Sequence, residues 1–226
     1  MSTIEPSAPQ TPRKCREYSA AERIADGSVH VVGVVASLVA ATALMIAASR
    51  LPAASIASLA VYGFGLIAVF ACSAAYHLTT QGRLKALLRR FDHAAIYVKI
   101  AGTYTPFAVM MGNAAGLALL AAVWAITAFG ATAKLLWPQR LVRTSYVLYL
   151  AQGWAIVLAF GPFASAVSDR VLLLLVVGGL TYTVGVVFHL WERLPYHTAI
   201  WHALVVAASA CHFAAIVDAV GLVGGA

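Results

Sequence analysis

Charge is what this chain has least of. Asp, Glu, Lys and Arg make up 10% of its 226 residues, against 62% apolar residues. With a mean hydropathy of +0.87, that balance excludes both an ordinary water-soluble domain and a disordered chain. Cysteine is also scarce. Cys15, Cys72 and Cys211 give an odd count and no metal-ligand spacing, which excludes a disulfide framework and a cysteine-held metal. Cys72 and Cys211 lie in apolar runs and read as small core residues. A secretory leader is not expected, because the first apolar run starts late and lacks a small-residue cleavage site; the first span should be retained. The net charge of +7 is not a nucleic-acid footprint, since the basic residues fall between apolar runs, where they set topology.

What the chain has in abundance is apolar runs of spanning length. A run of about 18 or more apolar residues crosses a hydrocarbon layer of about 30 Å, and in lipid it must be helical to satisfy its own backbone. Seven such helices are expected, over 28–48, 54–78, 91–111, 115–136, 144–162, 171–190 and 198–221. Pro52, Gly112-Asn113, Pro138, Pro162 and Pro195 fall in the breaks, whereas Pro106 falls inside the third span and should kink it. Residues 1–20, with Pro6, Pro9 and Pro12, read as a flexible tail ahead of a transmembrane domain over 21–226.

Lys and Arg orient this bundle. Arg13, Lys14, Arg16, Arg23, Arg83, Lys85, Arg89, Arg90, Lys134, Arg140, Arg143 and Arg193 fall on one side, Arg50 and Arg170 on the other, and Lys99 within a span. The richer side is cytoplasmic by the positive-inside rule, which puts the N-terminus inside and the C-terminus outside.

The polar residues left in the spans then gather near that cytoplasmic boundary: His30, Ser73, His77, Asp92, His93, His189, His197 and His202. Of the histidines, only His212 lies deeper. Ser73 and His77 are four apart and share a helix face. Imidazoles are good zinc ligands, and three protein ligands plus a water make a catalytic zinc site. A carboxylate such as Asp92 is suited to orient a ligand, hold the water or act as general base. Each residue also has a plainer reading. His30, His93 and His189 suit an interfacial anchor, Ser73 a packing position and Asp92 a helix N-terminus. Trp124, Trp137, Trp154, Trp191 and Trp201 read as belt or packing residues.

Four segments also carry a resemblance. SAAYHL (73–78) is similar to the Ser-x-x-x-His motif of the progestin and adipoQ receptor superfamily. FDHAAIYVKIAGTYTPF (91–107) resembles the third-span signature of its bacterial branch, the haemolysin III family. AIWHALVVAASACHF (199–213) resembles the last span, and AERIADGSVHVVG (21–33) the N-terminal motif, with Asp26 where Asn is usual. The resemblance runs from about residue 18 to 221. It implies an all-α seven-helix membrane bundle with a cytoplasmic N-terminus and a Zn²⁺ ion held by three histidines. It implies His77 and His202 as ligands, with Asp92 and Ser73 close to the metal-bound water. It also implies a ceramidase-like hydrolase and a place in membrane-lipid homeostasis.

One position departs from the family pattern. The residue four before His202 should be His, but it is Thr198, and the histidine stands at 197. Residues i and i+5 of a helix point about 140° apart. His197 is taken as the third ligand, reaching in from a loop if the helix starts only after it; two histidines completed by Asp92, His30 or water is the alternative. Lys99 is seven residues after Asp92, on the same face of the third span.

The expected protein is therefore a multi-pass protein of the bacterial inner membrane. Zinc (His77, His202, His197) and a catalytic pair (Asp92, Ser73) would cleave an amide or ester of a membrane lipid, its expected substrate or ligand. A membrane sensor with structural zinc is the alternative from another class. A pore-forming haemolysin is less favoured, because no row of charges along the spans would line a wide channel.

Overall fold

The computed structural model describes residues 18–80, 82–139 and 142–222. Most of the tail expected over 1–20 lies outside them, as do Cys15 and Arg140. The described residues are helical, in the order α1 (Ala20–Ala47), α2 (Ala53–Leu78), α3 (Gly82–Met111), α4 (Ala114–Leu136), α5 (Val142–Gly153), α6 (Phe160–Ala164), α7 (Asp169–Leu190) and α8 (His197–Ala219). Among the described residues, six segments are long and apolar enough to cross a membrane: Ala20–Arg50, Ala53–Leu78, Ala114–Leu136, Thr144–Ala164, Asp169–Leu190 and His197–Ala219. The chain is a multi-pass membrane helix bundle.

α1 starts eight residues earlier than the apolar run does, because a capping box starts it. The Ser19 hydroxyl accepts from Glu22 N–H, and the Glu22 carboxylate accepts from Ser19 N–H. The fifth segment is broken. α5 ends at Gly153, a 3₁₀ stretch (Ala155–Ala159) follows, and α6 carries Gly161 and Pro162. Gly and Pro interrupt a span where neighbouring helices re-satisfy the freed backbone groups. Here the Tyr104 hydroxyl does so, donating to the Gly153 carbonyl (2.6 Å) and accepting from Ile156 N–H (3.1 Å).

α3 is the centre of the bundle. It runs through Pro106 without interruption and packs on α2, α4, α5 and α8. From Ala94 to Met111 most of its residues are buried, whereas its first turns carry Arg83, Lys85, Arg89 and Arg90. Backbones meet closely at the α2–α3 seam. A Cβ on Gly65 would stand 3.2 Å from Lys99 Cα, and one on Gly102 would stand 3.2 Å from the Val61 carbonyl. Without a hydrophobic force between helices in lipid, such small-residue contacts are what hold them. α1 is peripheral. It packs mainly on α2 and α8 and leaves Val31, Val32, Val35, Leu38, Val39 and Ile46 exposed.

Candidate metal centre

Three helix ends converge on one point. α1 supplies Asp26 and His30, four residues apart and so on one face, two turns into the helix. α2 supplies His77 from its last turn, with Ser73 one turn before it. α8 supplies His202 from its second turn. The start of α8 is fixed from α1: Tyr196, just before the helix, takes a left-handed conformation (φ 60°), and its N–H donates to Glu22 Oε1 (3.0 Å). The Tyr18 hydroxyl lies 3.0 Å from His197 Nε2. Glu22, which completes the capping box of α1 one turn before Asp26, therefore also holds the turn that opens α8.

The outcome is a group of four ligand-type side chains, Asp26, His30, His77 and His202, whose ligand atoms all lie within 4.8 Å of one another. The Asp26 carboxylate is at the middle. It stands 2.7 Å from His202 Nδ1, 3.3 Å from His77 Nδ1 and 3.5 Å from His30 Nε2. The three rings crowd around it with centroids 4.2 to 4.8 Å apart.

This donor set fits a metal ion. Ligands at ~2.1 Å from a tetrahedral centre lie ~3.4 Å from each other, which is within the spread seen here. His30 supplies an independent sign. Its Nε2 is buried and makes no hydrogen bond, although it faces the same carboxylate as the other two rings. Buried polar atoms are almost always paired, so an orphaned imidazole nitrogen aimed at two other imidazoles and a carboxylate is what a bound cation would satisfy. Three imidazoles and one carboxylate suit zinc and other late first-row metals.

The expected site residues are placed as follows. His77 and His202 meet in the group. Asp92 and Ser73 lie beside it: the Ser73 side chain hydrogen-bonds Asp92, and Asp92 is within electrostatic reach of His77 and His30. The structure does not bring His197 to the group. α8 begins at His197 rather than after it, so the ring keeps the i, i+5 offset from His202 and is engaged by Tyr18. His30 stands there instead, with Asp26 beside it. The available signal was the Asp-x-x-x-His spacing of α1, together with an acid at a position where the family pattern has Asn. His93 and His189 lie outside the group of four. The His93 carbonyl accepts from the Tyr149 hydroxyl (2.9 Å), and His189 Nε2 lies 3.1 Å from the Tyr146 hydroxyl, with its ring 5.2 Å from that of Trp201.

A family model described as "Haemolysin-III related" matches residues 19–213, a stretch that contains all four donors together with Ser73 and Asp92. The chain is 35% identical over 198 residues to the "Hemolysin-3 homolog" of Bacillus subtilis (strain 168), covering 87% of this chain and 93% of that protein. It is 35% identical over 194 residues to "Hemolysin-3" of Bacillus cereus, covering 85% and 89%. It is 30% identical over 167 residues to the "Monocyte to macrophage differentiation factor" of Homo sapiens, covering 69% and 67%.

Proposed function

Since the chain belongs to the haemolysin-III-related family, we propose that it is a zinc-dependent hydrolase of the bacterial inner membrane, cleaving an amide or ester of a membrane lipid and so serving membrane-lipid homeostasis. In this reading α3 is the seventh span. It is 30 residues long, about 45 Å at 1.5 Å per residue, and its charges sit near one end. The Lys/Arg asymmetry puts the N-terminus and the metal group on the cytoplasmic side. A reporter fused after Ala226 should be active only outside the cytoplasm; cytoplasmic activity would overturn the orientation.

The observation that carries the reading is the Asp92–Ser73 pair. A metal with a purely structural task needs only its ligands. Here a buried carboxylate and a hydroxyl stand next to the donor group without belonging to it. Zinc, when bound, supplies a Lewis acid and lowers the pKa of a coordinated water. Asp92 then accepts the proton released at the reacting water and passes it to the leaving group, while Ser73 holds the carboxylate in place. Asp26, within 3.5 Å of a nitrogen of each ring, would offset part of the charge of a cation held there.

Asp92→Asn tests this directly. It should leave the metal content unchanged and reduce release of fatty acid from ceramide-like or phospholipid substrates in lipid by about 10²–10⁴-fold. Release that survives both chelator and Asp92→Asn belongs to a contaminating enzyme. A specific observation favours a second reading, a membrane sensor with structural zinc. Counting Asp26, the chain supplies four donors, and a four-ligand shell of protein atoms is closed. That reading predicts no turnover of any substrate by the wild-type protein.

A further inference from the structure

The first turns of α3 carry two different faces. Leu84, Leu87 and Phe91 recur at steps of three and four, share one face and are exposed. An apolar stripe among arginines lies at the boundary between acyl chains and headgroups. Lys85, Arg89 and Asp92 recur at the same steps on another face. That second face starts at headgroup depth, and within two turns it reaches Asp92, beside the metal group.

The second face looks across to α2. Lys85 Nζ donates to the Thr79 carbonyl (2.9 Å) and stands 5.2 Å from the centre of the Tyr76 ring. Tyr76 immediately precedes the donor His77, and the two rings meet edge-on with centroids 4.7 Å apart. Arg89 is within electrostatic reach of Tyr76, of Asp92, of Lys134 on α4 and of Tyr146 on α5. It therefore stands where four helices open toward the same end of the bundle.

The hydrogen-bonding capacity there is unused. Among the described residues no carboxylate pairs with Lys85 or Arg89. Asp92, one turn beyond Arg89, is hydrogen-bonded by Ser73 instead. Arg90, by contrast, is engaged by the Leu135 carbonyl (3.1 Å). The Tyr76 hydroxyl has no hydrogen-bond partner among the described residues. Arg89 is exposed, and Lys85 and Tyr76 are half-buried, so the three open outward. Topology accounts for cations at this end of the bundle. It does not account for two of them flanking an unpartnered phenol that adjoins a metal donor.

We propose that Arg89, Lys85 and Tyr76 form a site for the phosphate of an anionic lipid, at the mouth of the metal group. The planar fork of Arg89 takes two phosphate oxygens, Lys85 adds a second charge, and the Tyr76 hydroxyl donates to the phosphate. The lipid's chains remain in the bilayer, whose boundary the Leu84 stripe marks. Binding needs neither metal nor turnover, so the site goes beyond the hydrolase reading and stands if that reading fails.

The experiment uses the full chain in phosphatidylcholine nanodiscs at physiological salt. The probe is a dialkyl-ether phosphatidylglycerol with pyrene on one chain, which offers no ester to cleave. Energy transfer from the tryptophans reads its occupancy. Saturable transfer is expected, reversed by phosphatidic acid but not by phosphatidylethanolamine or glycerol 3-phosphate, and unchanged by chelator. Arg89→Gln should weaken binding roughly 10-fold, as loss of a charge-assisted contact does, and Tyr76→Phe about threefold. Arg83→Gln removes the same charge from a different face and should change binding by about twofold at most, because exposed charges beyond about 8 Å are screened. Equal losses in Arg89→Gln and Arg83→Gln would mean a diffuse surface field. Equal displacement by the zwitterionic lipid would mean no charge selection, and displacement by glycerol 3-phosphate a site for soluble phosphate. Abolition by chelator would mean that the metal holds the phosphate. Each of these, or the absence of saturable transfer, overturns the proposal. Should Arg89→Gln fail to fold, Lys85→Gln and the competition series on the wild-type protein still decide it.

Discussion

Asp26 is the residue on which the centre turns. A divalent cation held by three neutral imidazoles keeps its full charge in a medium of low dielectric, which is costly. Asp26, inside the donor group, removes one unit. Asp26→Asn keeps the shape and one oxygen donor but leaves a unit of charge behind. Metal affinity should fall by about 10–100-fold, the usual cost of losing a carboxylate partner of metal-binding histidines. Metal titration by competition with a chromophoric chelator measures it. His30→Ala and His197→Ala form a matched pair: the first should lose stoichiometric metal, the second should keep it. Metal retained by His30→Ala and lost by His197→Ala would invert the ligand assignment. His77 and His202 were legible in the sequence, because each stands at a motif position. His30 was legible only as a candidate. What separates it from His197 is the exact residue at which α8 starts, and Glu22 decides that from the other end of the chain.

Among the elements, the start of α1 has the most dependents. Glu22 uses one oxygen for the capping box and the other for the backbone of Tyr196. The left-handed turn at Tyr196 is uncommon for a non-glycine residue and needs support from its surroundings. Glu22→Ala removes a cap worth about 1 kcal/mol and also that support. The expected result is a lower Tm together with weaker metal binding, because α8 carries His202. Glu22→Gln, which keeps one acceptor oxygen, should recover part of both; thermal unfolding with and without added zinc reads them. The long apolar helices were legible from run length alone. The breaks inside the fifth segment were not placed, since whether Gly153 and Gly161-Pro162 interrupt a helix depends on a partner such as the Tyr104 hydroxyl, which is remote in sequence. The early start of α3 was hidden for a different reason. Its first turns are basic and carry the exposed Leu84 and Leu87, an interfacial pattern rather than a spanning one.

On the scale of the molecule, polar groups occupy two levels of an otherwise apolar bundle, the metal group near one end and, deeper, Lys99 with the Tyr182 hydroxyl. The upper level ties α1, α2 and α8 together. A ligand that binds only the folded state stabilises it by about 2.7 kcal/mol at a concentration 100 times its Kd, so stripping the metal should lower Tm measurably. The loss should vanish in the His77→Ala/His202→Ala variant, which has no site to empty. An equal chelator effect on both proteins would mean that the metal acts elsewhere.

The four donors also have an order in time. Asp26, His30 and His77 leave the ribosome with the first two helices, whereas His202 comes with the last. α1 has no other deep embedding, since its outer side faces away from the bundle. Until α8 is inserted, the first helix is secured along α2 alone and the cluster lacks its fourth member. On the proposed reading, metal capture would be an event of completion: it would fasten the earliest helix to the latest one, and a chain stalled before α8 would be left with a loosely held first helix, open to the proteases that clear unfinished membrane proteins.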